Sequence, residues 1–217
     1  MKSMTRPRWA ALALLATLPL TACGGAGDGD PSTAEGQVET STTFKAPSVK
    51  VAKTYEDLAK ALNIKAPEGY LLQPDQVGDT GPSDIVKASR DDGGNDAQDF
   101  LTRTGFVRGY QRMWSRAADD DFIVYLYQFG DNAGAVEYTN RLATVAGTPP
   151  AGVTMDRFEV AGIDGAVGVN LSDPTFATSS VIFVKGPYSV QIEVNAKKLI
   201  GLQPLASALA EEQYSRL

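Results

Sequence analysis

Histidine is absent from all 217 residues, and cysteine occurs once, at Cys23. Without an imidazole there is no Ser-His-Asp or Cys-His nucleophile and no zinc site built on histidine. A single cysteine cannot close an internal disulfide or supply the paired thioethers of c-type haem. Ser-x-x-Lys, Gly-x-Ser-x-Gly and a phosphate loop are also missing. Carboxylate pairs, Ser-Lys or tyrosine chemistry and an all-oxygen metal site remain, and no motif marks any of them. The expectation is a chain that binds rather than catalyses, with no catalytic residue, no metal and no cofactor. Long apolar runs are lacking too: Trp9 to Leu20 is the longest, and it is too short to span a bilayer.

That run has a meaning of its own. Lys2, Arg6 and Arg8 precede it with no acid among them, and Leu20-Thr21-Ala22-Cys23 closes it. A positive stretch, a short apolar stretch and a small residue before the cut are the parts of a signal peptide. The last four residues resemble the lipobox of bacterial lipoproteins. That resemblance implies acylation of Cys23 after removal of residues 1–22, and a lipid-anchored protein on the extracytoplasmic face of the cell membrane. Acylation also removes the unpaired thiol that an exported chain would otherwise carry. Ala22 suits ordinary signal cleavage as well, so both processings are open at this point.

Positive charge is scarce beyond residue 22. Without Lys2, Arg6 and Arg8 the chain keeps 17 Lys and Arg against 26 Asp and Glu, a formal −9. A surface this acidic repels phosphate backbones, which excludes nucleic acid as a partner. It should also be repelled by anionic headgroups. Residues 23–50 read as a tether, with Gly24, Gly25, Gly27 and Gly29 set among Asp, Ser, Thr and Glu. A flexible chain of that length spans roughly 30 Å root-mean-square.

Residues 51–217 read as one α+β domain, expected to be monomeric. Thr54 to Asp57 opens a short helix with a capping-box pattern, and Tyr55, Leu58, Ala59 and Leu62 share a face. Tyr70 to Leu72 begins a strand, and Ser83 to Ser89 is a further short element. The acids Asp91, Asp92, Asp96 and Asp99 invite calcium, but the spacing is not that of an EF-hand, and a solvated loop is the better reading. Asp119, Asp120 and Asp121 read as a hairpin turn facing water. Asp131 caps a helix through Ala146, with Ala135, Tyr138, Leu142 and Val145 inward. Short strands come next, at 158–160 and 166–171. Tyr188, Val190, Ile192 and Val194 alternate with polar residues, predicting one buried and one wet sheet face. Pro204 stands near the start of a closing helix. The order of elements predicts an antiparallel sheet with helices packed on one face, and two β-β-α halves that echo each other.

Gly105 to Arg116 fits two periods. As a helix it places Phe106, Tyr110, Met113, Trp114 and Ala117 on one face with the arginines opposite; as a strand it aligns Phe106, Arg108, Tyr110, Arg112, Trp114 and Arg116. Gly105 and Gly109 weaken the helix, and the strand-like run Phe122 to Phe129 offers a hairpin partner. The row Arg108, Tyr110, Arg112, Trp114 and Arg116 is the candidate ligand surface. Guanidinium groups take anions two-pronged and stack on rings, so an anionic or aromatic ligand fits it. The competing reading puts the rings in the core and the arginines on Asp119 to Asp121.

The phrases Gly105-Phe-Val-Arg-Gly-Tyr-Gln-Arg-Met-Trp114, Val124-Tyr-Leu-Tyr-Gln-Phe-Gly-Asp131, Gly162-Ile-Asp-Gly-Ala-Val-Gly168 and Val181-Ile-Phe-Val-Lys-Gly-Pro-Tyr188 resemble, in the same order, segments of a group of actinobacterial cell-surface lipoproteins. The resemblance spans roughly residues 69–217. It implies a cell-surface lipoprotein of high-GC Gram-positive bacteria, and it transfers no catalytic residue. The element order alone is loosely similar to PsbP-like domains, some of them lipoproteins, and that similarity implies a small ligand or an envelope protein as partner.

Overall fold

The computed structural model describes residues 49–62, 64–77 and 80–217. The signal-peptide segment, Cys23 and the tether as far as residue 48 lie outside the described residues. The described residues form five helices and eight strands: α1 (Tyr55–Ala61), β1 (Leu71–Leu72), β2 (Gly81–Ser83), α2 (Ile85–Asp92), α3 (Ala97–Arg103), β3 (Phe106–Ala117), β4 (Asp120–Phe129), α4 (Asn132–Ala146), β5 (Thr154–Phe158), β6 (Val167–Ser172), β7 (Ala177–Lys185), β8 (Tyr188–Ala196) and α5 (Leu202–Arg216). The strands form one antiparallel sheet in the order β1-β3-β4-β8-β7-β6-β5, with β2 also on the outer edge of β3. The expected antiparallel α+β architecture is present.

The stretch 105–116 is a strand, and β3 pairs with β4 as a hairpin. A bulge between Phe106 and Arg108 turns Phe106 to the face opposite the arginine row, where it meets Tyr127 and Phe129 edge-on. Gly109 is required here, because the Tyr127 ring lies where its Cβ would be.

The sheet is covered on both faces, which corrects the expectation of helices on one. Phe122, Val124 and Leu126 of β4, Val181 and Phe183 of β7, and Tyr188, Val190, Ile192 and Val194 of β8 pack with α1 and α5. The alternate residues Tyr127 and Phe129 pack with Ala88 of α2, Leu101 of α3, and Ala135 and Tyr138 of α4. The polar positions of β8 suggested a wet face, yet Ser189 is buried and hydrogen-bonds Thr139 of α4 at 2.7 Å. A paired polar group can be covered without penalty, so alternation alone did not distinguish wet from covered.

The same arrangement overturns the two related halves. Antiparallel neighbours β4 and β8 could be exchanged only by a two-fold axis normal to the sheet, which keeps each helix on its face. Helix α4 and helix α5 lie on opposite faces, so β3-β4-α4 and β7-β8-α5 share an order but are not related by rotation.

The capping box of α1 forms as expected, with Thr54 accepting from Asp57 and the Asp57 side chain accepting from the Thr54 backbone. In α4, Ala135 and Tyr138 are buried and Leu142 half-buried, whereas Val145 is exposed.

Candidate functional site

Strand β3 is long enough to carry four row residues on one face, with Tyr110 opposite Leu126, Arg112 opposite Val124 and Trp114 opposite Phe122. The rings point inward. Tyr110 is 5 % exposed and Trp114 is 3 % exposed, and the indole stacks on Phe122 at 4.7 Å. Both belong to the apolar core, so the rings of the row are not a free stacking platform.

The arginines divide. Arg108 donates to the Lys53 carbonyl and lies over the Tyr55 ring at 5.9 Å. Arg116 falls in the second bulge of β3, binds Asp120 two-pronged at 2.9 and 2.6 Å, and lies over Tyr70 at 4.9 Å. Arg112 lies 5.7 Å from the Tyr110 ring, and its Nε is buried with no hydrogen-bond partner. The expected row is therefore three separate cation–tyrosine pairs, of which the central one keeps a donor unmatched.

Burial pushes the Tyr110 hydroxyl up to about 12, helped by its 2.6 Å bond to Asp75. Burial and a 2.5 Å bond to Asp120 raise Tyr70 to about 12 as well. At Asp120 burial favours the acid form, but the bonds from Tyr70 and Arg116 outweigh it and hold the carboxyl below its ordinary range. The Asp119–Asp121 turn is thus not simply solvated: Asp120 carries two partners, and Asp121 is 1 % exposed and accepts from Asn195 at 3.0 Å.

The second acidic stretch also needs correction. Asp91 and Asp92 end α2, and Gly93 takes the left-handed conformation that terminates it. Asp92 and Asp96 together hold Arg141 of α4, at 2.8 and 2.7 Å, with the Asp92 side chain only 2 % exposed. Hydrogen bonds to Asp92 and then Asp96 raise the Arg141 guanidinium. The solvated reading holds for Asp96, whose side chain is 68 % exposed, and for Asp99, but not for Asp92, which with Asp96 clamps Arg141 between helices.

Sequence reasoning missed a polar cluster on the other side of β3. Gln111, fully buried, donates to Asp91 at 2.5 Å and to the Tyr127 hydroxyl at 2.8 Å, and accepts from Lys87. Lys87 and Asp91 are one turn apart on α2, the single hint available in sequence. Burial, then the nearby Asp91 charge, raises Tyr127 well above the ordinary phenol value.

An open groove of about 390 Å³ runs between the 65–68 segment and α5, floored by Leu205 and Leu209 and rimmed by Lys65, Glu68 and Glu212. Among the described residues no group of three or more acidic, histidine or cysteine side chains is arranged to hold a metal ion, and no helix is long and apolar enough to cross a membrane.

No protein-family model matches the chain, and no curated protein matches it. Among solved structures it is similar to the extracellular domain of PknH from Mycobacterium tuberculosis, with 12% identity and a TM-score of 0.49 over 75% of this chain and 95% of that one. Function is a property of sites and not of folds, so the assignment rests on the arginines, acids and rings of this chain itself.

Proposed function

We propose that the chain is a lipid-anchored extracytoplasmic protein whose domain recognises an anionic ligand or an envelope partner without catalysing a reaction. The anchor rests on Leu20-Thr21-Ala22-Cys23 behind its positive and apolar stretches. Recognition rests on Arg112, a half-buried guanidinium whose Nε lacks a partner inside the domain. A buried donor left unmatched costs free energy that a bound acceptor recovers. The non-catalytic reading is supported by the commitment of six of the chain's 26 acids. Asp75, Asp91, Asp92, Asp96, Asp120 and Asp121 all accept hydrogen bonds from the domain's own side chains.

Two measurements test this. Mass spectrometry of the protein from its host should find residue 23 acylated, and Cys23→Ala should deplete the membrane fraction. For recognition, Trp114 is the only tryptophan left after residues 1–22 are removed, and it lies two positions from Arg112. Titration with citrate and with inorganic phosphate should change Trp114 fluorescence, and Arg112→Gln should abolish the change. A response that survives Arg112→Gln removes the site.

A passive accessory role in an envelope assembly has one observation of its own. Leu71 and Leu72, on the two-residue edge strand β1, are 70 % and 46 % exposed. Paired exposed leucines at a sheet edge favour contact with another protein, and Leu71→Ser/Leu72→Ser releasing a co-purifying protein would support that role.

A further inference from the structure

The chain joins its domain at one defined place. The Tyr188 hydroxyl accepts from the Ala52 N–H at 2.6 Å and donates to the Lys50 carbonyl at 2.9 Å. Val49 lies against Gly186 in the β7–β8 turn. The start of β3 is at the same end of the sheet. Gln128 pairs with Tyr188, the Phe129 N–H bonds the Pro187 carbonyl, and Arg108 reaches the Lys53 carbonyl and the Tyr55 ring.

Around this junction the surface brings cations and apolar side chains together. Val51 is 52 % exposed, Val107 43 % and Tyr55 38 %, and Lys50 and Lys53 are exposed beside them. Among the acids at this end, Asp57 is turned back onto the Lys53 and Thr54 N–H groups, Glu56 is paired with Lys60, and Asp131, exposed just past β4, accepts from the Gly134 N–H. The opposite end carries the Asp119–Asp121 turn.

We propose that Lys50, Val51, Lys53, Tyr55, Val107 and Arg108 form a docking surface for an anionic lipid bilayer, laid on the headgroups by the segment that joins it there. Cations, a tyrosine and small apolar side chains together are the composition that rests at a membrane interface. Three cations supply a headgroup affinity on the order of millimolar lipid. That is weak alone, but covalent attachment to the membrane would hold the domain beside it at an effective concentration of about a millimolar. Docking rests on the proposed lipid anchor at Cys23 only for closeness. The formal −9 repels anionic headgroups, so docking relies on the cations of this end acting within a Debye length of the surface, with the acidic remainder turned away from the bilayer.

The test uses the processed chain, residues 23–217, made without its leader and therefore without lipid, so that binding must come from the domain surface. It is sedimented with vesicles of phosphatidylcholine containing phosphatidylglycerol, and with phosphatidylcholine alone. The expected result is binding to the anionic vesicles only, abolished at about 1 M salt, where the Debye length is about 3 Å. Lys50→Gln/Lys53→Gln should weaken it about thirtyfold, two surface charges' worth. Lys197→Gln/Lys198→Gln removes the same charge at the far end of β8 and should leave binding unchanged. No binding at millimolar lipid, equal binding to both vesicles, or loss in the Lys197/Lys198 variant instead would each overturn the proposal. Unchanged circular dichroism confirms that the variants fold. The mass of residue 23 is read separately, so failure of the anchor and failure of docking are distinguishable.

Discussion

On the face of the sheet that carries α1 and α5, the contacts are almost wholly apolar: Phe122, Val124, Leu126, Val190 and Ile192 meet Leu58, Leu62, Leu209 and Ala210, and each is at most 3 % exposed except where the cluster thins toward Ala52 and Tyr70. The face that carries α2, α3 and α4 has a smaller apolar cluster and is held in addition by Gln111 on Asp91 and Tyr127, Thr139 on Ser189, and Arg141 between Asp92 and Asp96. The first face is stabilised by area, which is non-directional and tolerates exchange of similar volumes. The second is stabilised by matched donors and acceptors, each of which is costly to orphan. The two faces should therefore fail in different ways.

The largest effect is expected on the apolar face. Phe122 is fully buried, stacked on Trp114 at 4.7 Å and tilted against Tyr70 at 5.2 Å. Phe122→Ala should destabilise the domain by about 4 kcal/mol in urea unfolding, from lost transfer free energy and an unfilled cavity. Phe122→Leu should recover more than half of that, because volume is what this face requires. A loss below about 1 kcal/mol would mean that the face is not close-packed.

On the polar face, Arg141→Met should cost about 3 kcal/mol, since it strands the Asp92 carboxylate in a setting that leaves 2 % of its side chain exposed. The sharper comparison is the double variant. Asp92→Asn in the Arg141→Met background should cost less than Asp92→Asn alone, giving a coupling of at least about 1 kcal/mol. The same cycle on Phe122 and Leu209, which share the apolar cluster without facing polar groups, should be closer to additive. Equal coupling on the two faces would erase the distinction drawn between them.

The difference also explains what the sequence could reveal. The apolar face was legible: Tyr188, Val190, Ile192 and Val194 alternate, the β3–β4 hairpin followed from Phe122 to Phe129, and Thr54 and Asp131 marked helix starts that form where expected. Periodicity reports burial of apolar residues, and those elements are built on it. The polar face was not legible. Asp92 read as solvated because a carboxylate's partner, here Arg141, 49 residues on, leaves no local trace. Ser189 read as wet for the same reason. Of the candidate row, the strand and the shared face were recovered, but the two rings fill the core and Arg108 and Arg116 are bound at home. Only Arg112 keeps the property that made the row a candidate.

The smallest effect separates the faces by pH. Tyr110 on the apolar side is raised to about 12 by burial and its Asp75 bond, while Tyr127 on the polar side is raised beyond that. A folded-state value above the ordinary 10.0 means that the folded protein keeps a proton the unfolded chain releases. The stability this represents is whole below pH 10 and is lost as pH rises toward 12. Urea midpoints should therefore fall across that interval, and Tyr110→Phe should make the fall shallower while changing little at neutral pH, because Asp75 is exposed and solvent replaces the hydroxyl. Tyr127→Phe should also flatten the profile, but it should lower the neutral-pH midpoint too. It removes an acceptor from the Gln111 amide, which is wholly buried and has no solvent to turn to. If Tyr110→Phe proves the costlier change at neutral pH, the hydroxyl on the apolar face is the more tightly matched of the two, and the division of labour between the faces is reversed at the one position where both use the same side chain.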